Sequence, residues 1–344
     1  MQLSGTQRTA VTLGTATIAA VVAARLWRMR HAYDFRGTSV VVTGGSRGLG
    51  LVLARELARE GAKLTLIARD ANELHRAVDD IQRRSPMTTP LAVPADVRQR
   101  DQADRAIAEV VQHYGRIDVL INNAGIIQVG PVDHMKLSDY EDALNTHFWG
   151  PLYLIVAALP HMRRQKHGRI VNISSIGGKI AVPHLVPYSA SKFALTGLSD
   201  GLRIELARDN IIVTTVCPGL MRTGSPMNAM FKGKRRQEYA WFAISDSLPL
   251  ATIDATRAAR QIIDACRHGD AELIITVQAR LAVLLRAAAP ELFQEAMTVI
   301  NSLLPGPATS NGDEPRPGRE NPSTWAPSKM TSLSDRAARE NNEL

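Results

Sequence analysis

The run Thr43-Gly44-Gly45-Ser46-Arg47-Gly48-Leu49-Gly50 constrains this chain of 344 residues more than any other. Ser39 to Thr43, just before the glycines, is a short β-branched stretch that reads as a buried strand. Leu51 to Glu60, just after them, reads as an amphipathic helix with Leu53, Leu57 and Ala58 on one face. Glycines between a strand and a helix let the backbone approach a pyrophosphate, and the helix N-terminus offers amide hydrogens and the positive end of its dipole. Strand, glycine turn and helix are the setting that a dinucleotide fingerprint requires. The spacing is GxxxGxG rather than GxGxxG, so the logic matches and the letters do not.

Strand-like and helix-like patterns alternate along the rest of the chain. Strands are expected at 63–68, 91–94, 119–122, 169–173, 211–216 and 272–275, with helices at 100–114, 139–164, 187–208 and 254–268 among those between them. Such alternation demands a parallel sheet covered on both faces, an α/β fold of the doubly wound Rossmann type. Ligand then sits at the carboxyl ends of the strands, where the glycine turn, Asn122, Ser175 and Pro218 all fall.

Tyr188-Ser189-Ala190-Ser191-Lys192 supplies the chemistry. On a helix, residues four apart rise from one face. A free phenol with a pKa of ~10 is a poor proton shuttle at neutral pH. A fixed ammonium beside it favours the phenolate, which makes the pair a tunable acid and base.

Taken together, these residues resemble the short-chain dehydrogenase/reductase family, in the branch carrying TGxxxGxG and YxxxK. The match covers about residues 36 to 276 and includes Asp96-Val97, Asn122-Asn123-Ala124-Gly125, Ser174-Ser175 and Pro218-Gly219 with Thr223. Asn145 stands in a helix reading Ala143-Leu144-Asn145-Thr146-His147-Phe148-Trp149-Gly150, where the family keeps an asparagine. The stretch around Ser175 and Tyr188 is similar to 11β-hydroxysteroid dehydrogenase-type members and equally to 3-oxoacyl reductases. The resemblance implies that Tyr188 exchanges the proton with a carbonyl or alcohol oxygen and that Lys192 holds the cofactor ribose. Ser175 would orient the substrate oxygen, and Asn145 would hold a water that links Lys192 to solvent. It implies a nicotinamide cofactor gripped by Gly44, Ser46, Arg47, Gly48, Leu49 and Gly50. Asp96 and Val97 would hold the adenine, Asn122, Asn123, Ala124 and Gly125 would line the cofactor, and Pro218, Gly219 and Thr223 would meet the nicotinamide side. NAD-preferring members place an acid at the end of the second strand; here that place is Ala68, followed by Arg69. Arg47 and Arg69 together suit a 2′-phosphate, which favours NADP(H) over NAD. Asp70 either caps the next helix or accepts a ribose contact. A homodimer or homotetramer is the oligomer that the resemblance implies.

The implied reaction interconverts a carbonyl and an alcohol. Met227, Met230, Phe231, Tyr239, Trp241 and Phe242, within 223–249, suit either an apolar lid or ordinary packing. As a lid they point to a lipophilic substrate such as a steroid, retinoid or long-chain acyl compound. The alternative is a catalytically idle NADP-binding scaffold at a membrane. Net charge is +8, yet no RNA-binding motif or aromatic platform accompanies the cations, so nucleic acid is not an expected partner. Two cysteines, Cys217 and Cys266, give neither a disulfide framework nor a zinc site, and no metal is expected.

The catalytic domain is expected at 35–277. Within the segment 1–34, residues 9–24 carry no charge and are followed by Arg25, Arg28 and Arg30. That pattern fits a membrane anchor with the catalytic domain on the cytoplasmic side, although the stretch is short against the ~20 apolar residues of a spanning helix. Residues 278–304 form an apolar helical extension, broken at Pro290, that docks on the domain, covers the substrate cleft or touches a bilayer. Residues 305–344, rich in Pro, Gly, Asn, Ser and charge, are expected to be disordered.

Overall fold

The computed structural model describes residues 32–248 and 252–344. The chain divides into Met1–Asp34 and Phe35–Leu344. The expected anchor at 9–24 lies outside the described residues. Among those described, no helix is long and apolar enough to cross a membrane.

Seven parallel strands form the central sheet: β1 (Ser39–Thr43), β2 (Lys63–Ala68), β3 (Leu91–Pro94), β4 (Val119–Asn122), β5 (Gly168–Ile173), β6 (Ile211–Pro218) and β7 (Glu272–Ile275). Their order across the sheet is β7-β6-β5-β4-β1-β2-β3. The order reverses beside β1, between β2 and β4, which opens a crevice at the carboxyl ends there. In-register pairs such as Val42 with Leu66 and Ile121 hold β1 at the centre. All five residues of β1 are buried, as a strand covered by helices on both faces requires.

The helices on the two faces include α1 (Gly48–Arg59), α2 (Ala71–Arg84), α3 (Arg100–Tyr114), α4 (Leu137–Leu144), α5 (Gly150–Gln165), α6 (Val186–Leu206), α7 (Arg235–Ser245) and α8 (Ala255–His268). Val41, Ile107, Leu120, Leu154, Ile170 and Val213 pack into one core between sheet and helices. Two capping residues show how local sequence sets the ends. Asp70 accepts from the N–H groups of Asn72 and Glu73 at the start of α2, and Asp254 accepts from Thr256 and Arg257 at the start of α8. The Asp70 side chain is thereby engaged as a cap. Cys217 and Cys266 are buried free thiols.

Two expectations change, and one left open is decided. The single helix expected over 139–164 is two helices, α4 and α5, joined by a π turn at Asn145–Trp149. One extra residue per turn shifts every side chain on that stretch, and such turns recur at functional sites. The aromatic residues of 223–249 are largely packing: Phe231, Tyr239 and Phe242 are buried in a small core with Val129 and Leu185. The extension folds as α9 (Val277–Ala288) and α10 (Pro290–Ser302), with Pro290 opening the second helix where its missing N–H costs nothing.

The second change is the tail, which is packed rather than disordered. Arg316–Pro317 pairs antiparallel with Met230–Phe231, and α11 (Ser332–Glu340) follows. Ala338 is fully buried, and its backbone lies where a side chain on Gly224 would be. The contacts come from small residues and backbone hydrogen bonds, such as Gly318 N–H to Ala229 O at 2.9 Å. A composition-based reading, which looks for large apolar groups, does not register them.

Candidate active site

A cleft of about 670 Å³ runs along the carboxyl ends of the strands and takes in the glycine turn, the β4 loop, Ser175, Tyr188 and Lys192. Thr43, at the end of β1, organises its floor. Its hydroxyl oxygen accepts from the N–H groups of Asn123 (2.9 Å) and Ala124 (3.0 Å), while the Asn123 amide donates to Thr43 O at 3.0 Å. The glycine turn and the β4 loop are thus one rigid unit. Gly48, with φ +55°, takes a backbone conformation that favours glycine. A Cβ on Gly50 would lie 2.0 Å from Gly44 O, so Gly50 allows α1 to sit against the turn. Gly50 does not line the cleft, whereas Gly44, Ser46, Arg47, Gly48 and Leu49 do.

The structure brings most of the expected cofactor residues to this cleft: Arg69, Asp96, Val97, Asn123, Ala124, Gly125, Pro218, Gly219 and Thr223 join Tyr188 and Lys192 along it. Asn122 is not there. Its amide donates to Asn172 Oδ1 at 2.8 Å, and Asn172 donates to Ser199 at 3.0 Å, a buried brace between strands and α6. Partial burial works against ionisation of Asp96, but hydrogen bonds from Arg98, the shortest 2.7 Å, outweigh it and hold the carboxyl below its ordinary range.

At the catalytic corner, α6 presents Tyr188 and Lys192 on one face. The Lys192 ammonium lies 5.6 Å from the centre of the Tyr188 ring and donates to Ile173 O at 2.8 Å. Burial pushes Lys192 down to about 7. Burial raises the Tyr188 phenol, and a hydrogen bond with Ser175 draws it partly back. The Ser175 oxygen accepts from Gly177 N–H at 3.0 Å. Ser174 is structural: its hydroxyl donates to Lys192 O at 3.0 Å and meets Thr196 at 2.9 Å.

Asn145 opens the π turn. It stands at the end of α4 and does not line the cleft, where Thr146 and His147 do. The role implied for it, holding a water that reaches Lys192, does not require it to line the cleft. His147 is buried against Tyr188, with ring centres 5.3 Å apart and planes at 86°. Sequence reasoning also missed Ile126, Ile127, Met221 and Ser225, which complete the wall.

The phosphate end carries something no local pattern announces. The last residues of the chain lie on the glycine turn. Gly48 N–H donates to Asn341 O at 2.9 Å, and Asn342 donates to Ser46 O at 2.8 Å. Arg47 lies 3.1 Å from a Glu73 oxygen and 3.5 Å from a Glu343 oxygen. Burial raises the Glu343 carboxyl, against the pull of Arg47. Arg55 anchors the tail from below, donating to Asn341 Oδ1 at 3.0 Å and Glu340 O at 2.9 Å.

This fold and this cleft define a nucleotide-binding oxidoreductase class, and comparison with known proteins bears that out. A family model described as short chain dehydrogenase matches residues 38–233. Dehydrogenase/reductase SDR family member 7B of Mus musculus is 34% identical over 275 residues, which is 79% of this chain and 84% of the mouse protein. The 11-beta-hydroxysteroid dehydrogenase-like 4A protein of Arabidopsis thaliana is 39% identical over 190 residues, 55% of this chain and 62% of the plant protein. L-sorbose reductase from Gluconobacter frateurii, solved with NADPH and L-sorbose, superposes with a TM-score of 0.63 at 24% identity. That match covers 71% of this chain and 97% of the reductase, and it supports the fold alone. The chain belongs to the short-chain dehydrogenase/reductase family.

Proposed function

We propose that the protein is an NADP(H)-dependent oxidoreductase that interconverts a carbonyl and an alcohol, with Tyr188 as the acid and base. The observation that carries this reading is the convergence of Ser175, Tyr188 and Lys192 on the same cleft as the glycine turn. The residues present fit a nicotinamide dinucleotide: a left-handed Gly48 and a close-packed Gly50 form the cradle, and α1 begins at it. Once bound, such a cofactor supplies or removes the hydride. The chain supplies the rest. Ser175 and the Tyr188 hydroxyl bond the substrate oxygen, and Tyr188 gives up its proton as charge develops there. The Lys192 ammonium, when protonated, favours the phenolate left behind.

Preference for NADP(H) rests on two arginines at the adenosine end and on Asp70 being occupied as a helix cap. A 2′-phosphate would compete with Glu73 and Glu343 for Arg47. Ile126, Ile127 and Met221 along the wall favour a lipophilic substrate. Exposed Trp149 and Val156 on the α5 side and Ile204 on α6 suit a homodimer or homotetramer. Residues 9–24 remain the proposed membrane attachment. Deleting residues 1–30 should move the protein to the soluble fraction, and a full-length chain already soluble without detergent would count against it.

The direct test of the activity is loss of NADPH absorbance with a panel of lipophilic ketones and aldehydes. Tyr188→Phe keeps the ring and removes the proton, so turnover should fall by about a hundredfold or more while NADPH still binds. Activity within tenfold of the parent would remove Tyr188 from the mechanism.

A further inference from the structure

His147 is nearly inaccessible to solvent, with 1% of its surface exposed, and both of its ring nitrogens are committed. Nε2 faces the N–H of Ile126 at 3.1 Å. An amide N–H can only donate, so Nε2 accepts and carries no hydrogen. Nδ1 lies 2.7 Å from Ser191 Oγ. The Ser191 hydroxyl spends its single hydrogen on Tyr188 O at 2.8 Å. Its oxygen therefore accepts, and the imidazole proton resides on Nδ1. The ring is neutral with a defined tautomer, and burial together with the nearby Lys192 charge keeps it so.

These bonds join three segments. Ile126 belongs to the loop after β4 that walls the cofactor side of the cleft. His147 lies in the π turn between α4 and α5. Ser191 and Tyr188 lie in the first turns of α6. The absence of a side chain on Gly125 makes the approach possible, since a Cβ there would be 3.1 Å from Nε2. The ring edge against Tyr188 adds a second constraint on the phenol.

We propose that His147 is a positioning residue that sets the Tyr188 phenol against the cofactor-side loop through the chain Ile126 N–H to Nε2, then Nδ1–H to Ser191 to the Tyr188 backbone. This rests on the reading of Tyr188 as the acid and base. His147 is not itself a proton donor to substrate in this arrangement. Its one N–H proton is held by Ser191, and its other nitrogen is held by a backbone amide. Its contribution is geometric, and a misplaced acid lowers the rate of the chemical step more than it changes binding of the substrate.

The test separates the two nitrogens. In His147→Asn the side-chain amide reaches the Nδ1 position and can still donate to Ser191. In His147→Gln it reaches the Nε2 position and meets Ile126 only. His147→Leu has neither bond. We expect kcat to fall about hundredfold in His147→Leu and tenfold or more in His147→Gln, with KM for the carbonyl within threefold of the parent in each. His147→Asn should recover kcat to within about threefold. Ser191→Ala keeps the histidine and removes only the bridge, so it covers the case in which the leucine variant does not fold. Its kcat should fall about tenfold. The tautomer is read separately from activity, from the ring nitrogen resonances of the unaltered protein. Protonated Nδ1 supports the arrangement, and protonated Nε2 overturns it. Tyr188→Phe is run alongside. If that variant is inactive and His147→Leu or Ser191→Ala keeps parental kcat, the positioning role falls and the Tyr188 reading stands. If Tyr188→Phe is itself active, both fall. Equal losses in the asparagine and leucine variants would also overturn the role assigned to Nδ1.

Discussion

The two ends of the cleft are built differently. The catalytic end draws on neighbours in one domain: Lys192 bonds Ile173 O from the adjacent strand, and His147, Ser191 and Tyr188 tie α6 to the π turn. The phosphate end is closed by residues nearly three hundred positions away in sequence. Asn341 takes the Gly48 amide and Glu343 approaches Arg47. The first end is preorganised by contacts among β5, the π turn and α6. The second is preorganised around groups of the chain's own tail, which on the proposed reading an entering anionic cofactor would meet on the same amide and the same guanidinium. On the proposed reading, preorganisation would lower the cost of reaction at one end and raise the cost of binding at the other.

The sharpest way to break this contrast is at the catalytic end. Lys192→Met should lower kcat by about a hundredfold or more, because the Tyr188 phenolate loses its neighbouring charge. A variant with parental kcat would show that Tyr188 is tuned without the lysine. At the phosphate end, Arg47→Ala with Arg69→Ala should lower the ratio of NADPH to NADH affinity by about tenfold or more, each charge-assisted contact contributing ~1.5–3 kcal/mol. An unchanged ratio, measured by cofactor titration, would move the 2′-phosphate site elsewhere.

Removing Asn341 to Leu344 tests the tail. It frees the Gly48 amide and Arg47, so NADPH should bind about threefold to tenfold tighter, on the order of one hydrogen bond. Weaker binding would make the tail a part of the cofactor site. Glu343→Gln separates charge from contact, and its benefit should be larger for NADPH than for NADH.

The smallest effect is a drift of stability with pH. Lys192 is lowered to about 7 in the folded protein, against ~10.4 when unfolded. Between those values the unfolded chain binds the extra proton, so the lysine's burial cost is greatest below about 7 and is relieved as pH rises toward 10. The melting temperature of Lys192→Met relative to the parent should therefore be highest near pH 6 and decline through pH 9. A constant gap would mean that Lys192 does not change its charge on folding.

Much of the catalytic end was readable in the linear chain, because its parts sit on short elements whose spacing is local. Tyr188 and Lys192 lie one helical turn apart, and Ser175 comes two residues after a strand with a clear apolar pattern. The reading did not foresee the π turn at Asn145–Trp149, which sets His147 against Tyr188; a five-residue irregularity leaves no compositional mark. It failed at Asn122, which ends β4 and bonds Asn172 on the neighbouring strand, whereas Asn123 lies just beyond the strand and bonds the glycine turn.

Sequence alone determined the alternating strands and helices, the glycine cradle and the phenol–ammonium pair, because each depends on neighbours within a turn or a strand. Tertiary structure decided which polar residue of the π turn faces Tyr188, and whether the aromatics of 223–249 gate the cleft or fill a core. It also decided where the tail lies. Those outcomes depend on contacts between distant segments. Ala338 packs where Gly224 has no side chain, and Asn341 accepts from Gly48 and Arg55, and none of these partners is visible from the composition of the tail.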